Sequence, residues 1–558
     1  MAKTHFKNSI LSVRNPASRP LCLGLLLISL SGTSFAQRDT TVDICVYGGT
    51  SAGVIAACSA KRLGHSTLLI EPSGQVGGMT TGGLGETDIG NKAAITGIAG
   101  EFYKKVGAHY GQPESWTFEP HIAADVFREY IAAAHLAVWY RCRLNRAEKK
   151  GATITAIVVE RTGAGTANRP TTGSTPRAAP QQLTIRARVF IDCSYEGDLM
   201  AAAGVTYVTG RESNNEFGET FDGYQLRDKH QFPDSVDPYL KPGDPSSGLL
   251  WGISSAATST PGAGDNRIQA YNFRLCLTDS AANRLPITLP EHYKPEHYAL
   301  LLRLIAKKPG APLEAYLNIN PMPNRKTDIN NNGPFSTDMI GMNYDYPNAS
   351  YAQREKIWQA HADYTKGLLY FLGHDPRVPQ PLRNEMLQWG YPKDEFVATG
   401  HWSPQLYIRE ARRMRGEYVM TQANCQGIAT VTDGIGLAAY TMDSHNCERL
   451  VVNGMAKNEG DVQIGGFGPY PVSYRSITPK ASECTNLLVP VCLSATHIAY
   501  GSIRMEPVFM VLAESAALAA HLAITADRNV QGVDVGRLQA IQRADPLLLN
   551  PPASNSGQ

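Results

Sequence analysis

The stretch D-I-C-V-Y-G-G-T-S-A-G-V-I-A-A, from Asp43 to Ala57, decides the fold. Val42 to Tyr47 is a β-type run that ends in glycine, which predicts a strand. Ala52 to Leu63 is rich in small residues and predicts a helix. Ser66 to Ile70 is a second β-type run ending at Glu71, so the three segments predict a β-α-β unit of about thirty residues. In its turn the glycine places of a G-x-G-x-x-G pattern are held by Gly48, Thr50 and Gly53. The first glycine permits the strand-to-helix turn, and the last lets the helix pack closely on the sheet. Thr50 stands where backbone approaches a pyrophosphate; its small hydroxyl side chain still fits there and offers a bond to phosphate. The helix start, Ser51 and Ala52, then faces an anion with free N–H groups and the positive end of the dipole. Glu71 follows Gly48 by 23 positions, where an acidic residue bonds an adenosine ribose. A glycine motif by itself also fits a turn with no dinucleotide; the flanking strand, the helix and Glu71 favour the dinucleotide.

Further segments point the same way. E-P-S-G-Q-V-G-G-M-T-T-G-G-L-G, from Glu71 to Gly85, crowds Gly77, Gly78, Gly82 and Gly83 around Met79 and Thr80. So many glycines suggest backbone pressed against a flat ligand. I-D-C-S-Y-E-G-D-L-M runs from Ile191 to Met200, and Y-I-R-E-A-R-R-M-R-G-E-Y-V from Tyr407 to Val419. N-L-L-V-P-V-C-L-S-A-T-H-I-A-Y-G-S-I-R-M-E-P-V-F-M-V-L runs from Asn486 to Leu512. With these motifs the chain resembles the FAD-dependent oxidoreductase family with the glutathione-reductase-type FAD fold, and most of all its secreted bacterial branch, sometimes labelled xanthan lyase-like. The resemblance covers most of the chain and is weakest across the centre. It implies an α/β architecture, a Rossmann-type FAD-binding domain with an inserted substrate or cap domain. It implies that Gly48, Gly49, Thr50, Ser51, Ala52, Gly53, Glu71, Gly77, Gly78, Met79 and Thr80 hold FAD. It adds Asp192, Gly197 and Asp198 at the ribityl or pyrophosphate part, and Arg504. The family's Gly-Gln-Ala-Ala-Gly on the final helix is replaced here by Ala513-Glu514-Ser515-Ala516-Ala517-Leu518. No His lies between Gly74 and Gly85, so the FAD is expected to be non-covalent.

The chain has 558 residues, 43% hydrophobic and 18% charged, as in ordinary globular proteins. Residues 1–36 read as a signal peptide. Lys3, Lys7, Arg14 and Arg19 precede the apolar run Leu21 to Leu30, and Ser34-Phe35-Ala36 offers a cleavage site. Removing that leader takes the formal charge from +2 to −2, which leaves no basic excess for nucleic acid or an anionic membrane surface. The expectation is an exported protein, periplasmic or secreted, with no membrane anchor. No later segment reads as a transmembrane helix. Nine of the ten cysteines follow the leader, and none forms a C-x-x-C pair or a zinc spacing, so no metal site is expected. Export permits a disulfide among the later cysteines.

The expected domains are residues 37–212 and 405–526 for the two parts of the FAD-binding domain, 213–404 for the substrate or cap region, and 527–558 for a tail. Helices are expected at Ile122 to His135, His297 to Lys307, Tyr351 to Leu372 and Pro507 to Ile524, with strands at Ile154 to Glu160 and Leu183 to Ile191. The Gly, Thr, Pro and Ala-rich residues between those strands read as a mobile hairpin insertion.

Substrate oxidation by a flavin needs a base beside the carbon that loses hydride. His445, in Y-T-M-D-S-H-N-C-E-R, and His497, in S-A-T-H-I-A-Y-G-S-I-R, have polar neighbours that could orient them. Each can equally be structural. Arg409, Arg412, Arg413 and Arg504 are candidates for phosphate, flavin or substrate anions, against a reading as paired surface charge. Tyr474 and Arg475 are candidates for a pocket wall. The segment N-R-K-T-D-I-N-N-N-G-P-F-S-T-D suits hydroxyl-rich ligands or a self-satisfied turn, and Met339 at its twelfth loop position excludes an EF-hand. A single dinucleotide fingerprint and export favour a dehydrogenase or oxidase reduced by its substrate. The expected substrate is a polar organic molecule, small or glycan-derived, and the electron acceptor stays open. The rivals are an FAD-dependent hydroxylase with an external reductant, and a glycan-binding protein on a vestigial flavin fold.

Overall fold

The computed structural model describes residues 39–162 and 181–544. The leader, most of the hairpin insertion and the last residues of the tail lie outside the described residues. The described residues belong to one compact unit.

Strand β1 (Asp39–Tyr47) has its last four residues buried and leads through Gly48 into helix α1 (Ser51–Arg62). Strand β2 (Thr67–Glu71) is buried throughout, as a central parallel strand covered on both faces must be. Helix α2 (Pro120–Ala133) returns the chain to β3 (Ala137–Tyr140), and β4 (Cys142–Lys150), β5 (Thr153–Arg161) and β6 (Gln181–Asp192) follow. The sheet runs in the order β3-β2-β1-β6-β5-β4. Strands β3, β2, β1 and β6 are parallel, whereas β5 pairs antiparallel with β6 and β4 with β5. The β-α-β unit is therefore as expected, with β1 starting three residues earlier and the other ends within one residue.

In the central segment β7 (Leu275–Thr278), β8 (Leu317–Met322) and β9 (Lys326–Asn331) form an antiparallel sheet in the order β7-β9-β8. Helices α3 (Ala299–Lys307) and α4 (Tyr351–His374) belong to the same segment. It shares one continuous core with the rest: Tyr271, Phe335 and Leu368 lie in the same buried cluster as Ile55 and Leu512.

Near the end β10 (Leu487–Leu488) pairs parallel with β6 at Phe190 and Ile191. Helix α5 (Glu506–Thr525) is long and apolar enough to cross a membrane, contrary to the reading of the sequence, but it is packed inside the core, with every residue except His521 and Thr525 buried. The tail expected from residue 527 starts as ordered chain: helix α6 (Val535–Ala544) docks through the fully buried Leu538. The nine described cysteines are all free and buried, so the disulfide that export permits is absent among the described residues.

Candidate active site

The turn between β1 and α1 forms the floor of a cleft of about 310 Å³, lined among others by Gly48, Thr50, Glu71, Tyr195, Asp198 and Arg354. Gly48 has φ +91°, and a Cβ there would lie 2.5 Å from the Ser194 nitrogen. A Cβ on Gly53 would lie 1.8 Å from the Gly48 carbonyl oxygen, so the helix meets the turn closely enough to exclude any side chain. Glu71 accepts hydrogen bonds from the Gly49 N–H at 2.7 Å and the Ser73 N–H at 2.5 Å. Burial pushes its carboxyl up to about 7, against those hydrogen bonds.

The far wall comes partly from the central segment. Arg354 on α4 donates to Asp198 at 2.8 and 2.9 Å, and Arg412 donates to the same carboxylate at 2.8 Å. The Tyr351 hydroxyl meets that of Tyr47 at 3.1 Å. Beneath the cleft, Glu506 at the start of α5 accepts from the hydroxyls of Ser51, Tyr195 and Thr80 at 2.5, 2.6 and 2.7 Å. One buried carboxylate thus ties together the start of α1, the glycine-rich segment, the turn after β6 and α5. Burial holds the Glu506 carboxyl above its ordinary range.

A second cavity, of about 340 Å³, is lined by polar and aromatic side chains, among them Asp88, Asn318, Asn331, Tyr407, Asp443 and His445. His445 Nδ1 lies 2.8 Å from Asp338 Oδ2, and Nε2 lies 3.5 Å from Asp443 Oδ2. Burial and Arg409 oppose its protonation, but the two carboxylates outweigh them and hold the imidazole above its ordinary range. Asp443 is held well below the carboxylate range, because His445, Arg504 and Arg409 outweigh its burial. Consecutive residues line the two spaces: Gln405 and Leu406 the cleft, Tyr407 the cavity.

Several expected site residues have other work. Thr50 caps α1: its hydroxyl accepts from the Gly53 N–H at 3.3 Å and donates to the Cys193 carbonyl at 2.8 Å, so it is not directed at phosphate. Asp192 is fully buried and bonds the Ser194 N–H and hydroxyl and the Met200 N–H, shaping the turn rather than meeting a cofactor. Gly197, with φ +66°, opens the short helix Asp198–Ala202. Arg504 bonds the Tyr407 hydroxyl at 3.0 Å and Asp443 Oδ2 at 2.9 Å, supporting the cavity wall from behind. His497 is buried with Nδ1 2.7 Å from Glu410 and Nε2 2.9 Å from the Ser444 hydroxyl, so both nitrogens are committed. Arg409 lies behind Tyr407, 4.8 Å from its ring, with Nη1 2.9 Å from Asp338, and lines neither cavity. Arg413 is buried against Glu212 and Glu410, on extended chain and not on a helix surface. Arg475 pairs with Asp433 and Tyr474 donates to the Val530 carbonyl, away from both cavities.

Asp338, Tyr407, Arg354 and Glu506 were missed in the sequence. Tyr407 opens the arginine-rich segment and Glu506 sits in R-M-E-P, both quotable signals; Arg354 has none, since it looks like any helix-surface arginine. Glu119, His121 and Glu395 bring ligand-type atoms within 4.8 Å of one another. Lys326 Nζ already sits 2.7 Å from Glu119 and from Glu395 and 2.9 Å from Asp394, an internal cation for that cluster.

The residues of the cleft fit an FAD. The glycine turn leaves backbone bare where any Cβ would clash, and Glu71 and the helix start supply ribose and phosphate chemistry. Behind Tyr407, outside the cleft, Nε and Nη2 of Arg409 and Nε of Arg504 are buried donors with no hydrogen-bond partner among the described residues.

The family model described as FAD dependent oxidoreductase matches residues 43–542. No curated protein matches the chain. Among solved structures, the chain is similar to anhydrotetracycline hydroxylase of Streptomyces rimosus at 12% identity, over 35% of this chain and 36% of that one, with TM-score 0.22. It is similar to 3-ketosteroid-delta4-(5alpha)-dehydrogenase of Rhodococcus jostii RHA1 at 13% identity, over 30% and 48%, with TM-score 0.20. A flavoprotein/dehydrogenase of Cytophaga hutchinsonii matches at 14% identity, over 31% and 44%, with TM-score 0.22. The chain thus spans less than half the length of each of these structures.

Proposed function

The chain belongs to the FAD dependent oxidoreductase family, and from that premise we propose that it oxidises a polar organic substrate held in the cavity beside His445. The observation that carries this reading is that pair of neighbours in the chain: Leu406 lines the cofactor cleft and Tyr407 the polar cavity, with His445 on the cavity wall. FAD bound in the cleft supplies the hydride acceptor, so the breaking C–H bond gives up its electron pair with the hydrogen. The protein's task is to take the remaining proton from the hydroxyl or amine. With Nδ1–H donated to Asp338, Nε2 of neutral His445 is the nitrogen left to accept it. Asp443 beside Nε2 then stabilises the imidazolium that forms. Tyr407, backed by Arg504, stands where its hydroxyl can orient the substrate oxygen.

His445→Asn in the FAD-loaded protein is the test. Loss of substrate-driven flavin bleaching with the flavin spectrum unchanged supports the assignment; bleaching at the wild-type rate removes it. On the leader-like residues 1–36 the proposal extends to an exported protein, periplasmic or secreted, whose electron acceptor resides in that compartment. N-terminal sequencing of protein recovered outside the cytoplasm checks this: a start just after Ala36 agrees, and an intact leader on cytoplasmic protein does not.

A further inference from the structure

We infer that the polar cavity is a saccharide site, taking a neutral polyhydroxylated ring through the side-chain amides of the β8–β9 hairpin and presenting one of its hydroxyls to His445. The inference rests on the reading of this cavity as the substrate site and names the substrate class.

The lining chemistry carries it. No aliphatic side chain lines the cavity among the described residues, which excludes a flat apolar substrate. The hairpin places Asn318 directly opposite Asn330. Asn330 Oδ1 accepts from Asn272 Nδ2 at 3.0 Å, which leaves its NH2 group for a ligand. Asn318 and Asn331 also line the cavity, and their side chains have no hydrogen-bond partner among the described residues. Each amide offers a donor and an acceptor side by side, and each hydroxyl of a sugar is both, so vicinal hydroxyls pair with such groups two at a time. Tyr407 and Tyr440 add flat faces of the kind that cover the C–H side of a ring.

Charge decides between a neutral sugar and an ionic ligand. Of the wall carboxylates, Asp443 has Arg504 Nη2 behind it at 2.9 Å, whereas Asp88 has Arg274 Nη1 at 3.5 Å, an arginine whose Nε and Nη2 are bonded to Asp328. With Asp443 paired and no arginine among the described lining residues, a carboxylate finds no deep guanidinium and an amine finds only Asp88, which shares Arg274 with Asp328. Lys229, on the rim, is exposed and bonded to Gln463.

The test uses the full-length FAD-loaded protein and reads binding separately from redox chemistry. Calorimetric titrations are run with neutral mono- and disaccharides, sugar acids, primary amines and an apolar secondary alcohol. Flavin bleaching is followed in parallel without oxygen. The inference expects a neutral saccharide to bind, and the double variant Asn318→Ala, Asn331→Ala to weaken it at least tenfold with the flavin absorption unchanged. Both residues are only partly buried and unpaired, so the fold does not depend on them. Binding of an amine or the apolar alcohol in place of every saccharide overturns the inference even if that ligand bleaches the flavin, and so does unchanged saccharide binding in the double variant. Saccharide binding that depends on the asparagines but never bleaches the flavin upholds the ligand class while contradicting the proposed oxidation.

Discussion

Asp338 holds His445 through a 2.8 Å contact from its Oδ2 to Nδ1, across 107 residues of sequence. The contact fixes which ring nitrogen faces the cavity and raises the basicity of the imidazole. A proton acceptor must be neutral to act, so the substrate-driven reduction rate should rise with pH. Its midpoint should lie above the ordinary histidine value of 6.5. Asp338→Asn removes one of the charges that favour the imidazolium and should move that limb to lower pH. Stopped-flow reduction across pH measures it. His445→Asn should lower the rate by about 10²–10⁴-fold at every pH.

His497 should behave differently. His497→Ala leaves the fully buried Glu410 carboxylate, now held near 2, without a main partner. Breaking a buried pair costs about 3–5 kcal/mol. Thermal melting should fall sharply, while the folded fraction keeps the wild-type pH limb. A changed limb with an unchanged melting point would instead give His497 the role assigned to His445.

Glu71 makes the unfolding of the FAD-free protein depend on pH. Its carboxyl sits at about 7 in the fold against 4.5 for an unconstrained glutamate. Between those values the folded form keeps a proton that the unfolded chain has lost, so stability should fall as pH rises through this window. Glu71→Gln removes that slope. Denaturant midpoints at a series of pH values in both proteins reveal it, and identical slopes would show that Glu71 is not the source.

Glu506→Ala leaves the hydroxyls of Ser51, Thr80 and Tyr195 without their shared acceptor. Leaving a buried polar group unsatisfied costs about 1–3 kcal/mol. Because the lost bonds join the segments around the cleft, purified protein should show a lower melting point and a lower flavin-to-protein absorbance ratio. Glu506→Gln should retain more flavin than the alanine variant.

The β-α-β unit was legible because local rules write it: Gly48 and Gly53 cannot carry a side chain where they lie, and β2 is a short apolar run closed by Glu71. His445 and His497 were marked alike by their polar neighbours, and the sequence did not separate them. What the sequence hid is long-range pairing. Asp338 with His445, Arg354 with Asp198 and Glu506 with Ser51 join residues 107, 156 and 455 positions apart, and no local pattern marks them. Thr50, Asp192 and Arg504 show the converse. Their residue types suit phosphate or flavin, but nearby backbone and carboxylates take up their hydrogen bonds first.

The most direct test is an anaerobic titration of the FAD-loaded protein, followed by its visible spectrum, with the ligand panel in one series and NAD(P)H in the other. The account expects an organic substrate alone to bleach the flavin in the wild type, and His445→Asn to keep its flavin unbleached under the same conditions. Bleaching by NAD(P)H alone, with every organic candidate inert, would contradict it and favour the hydroxylase reading.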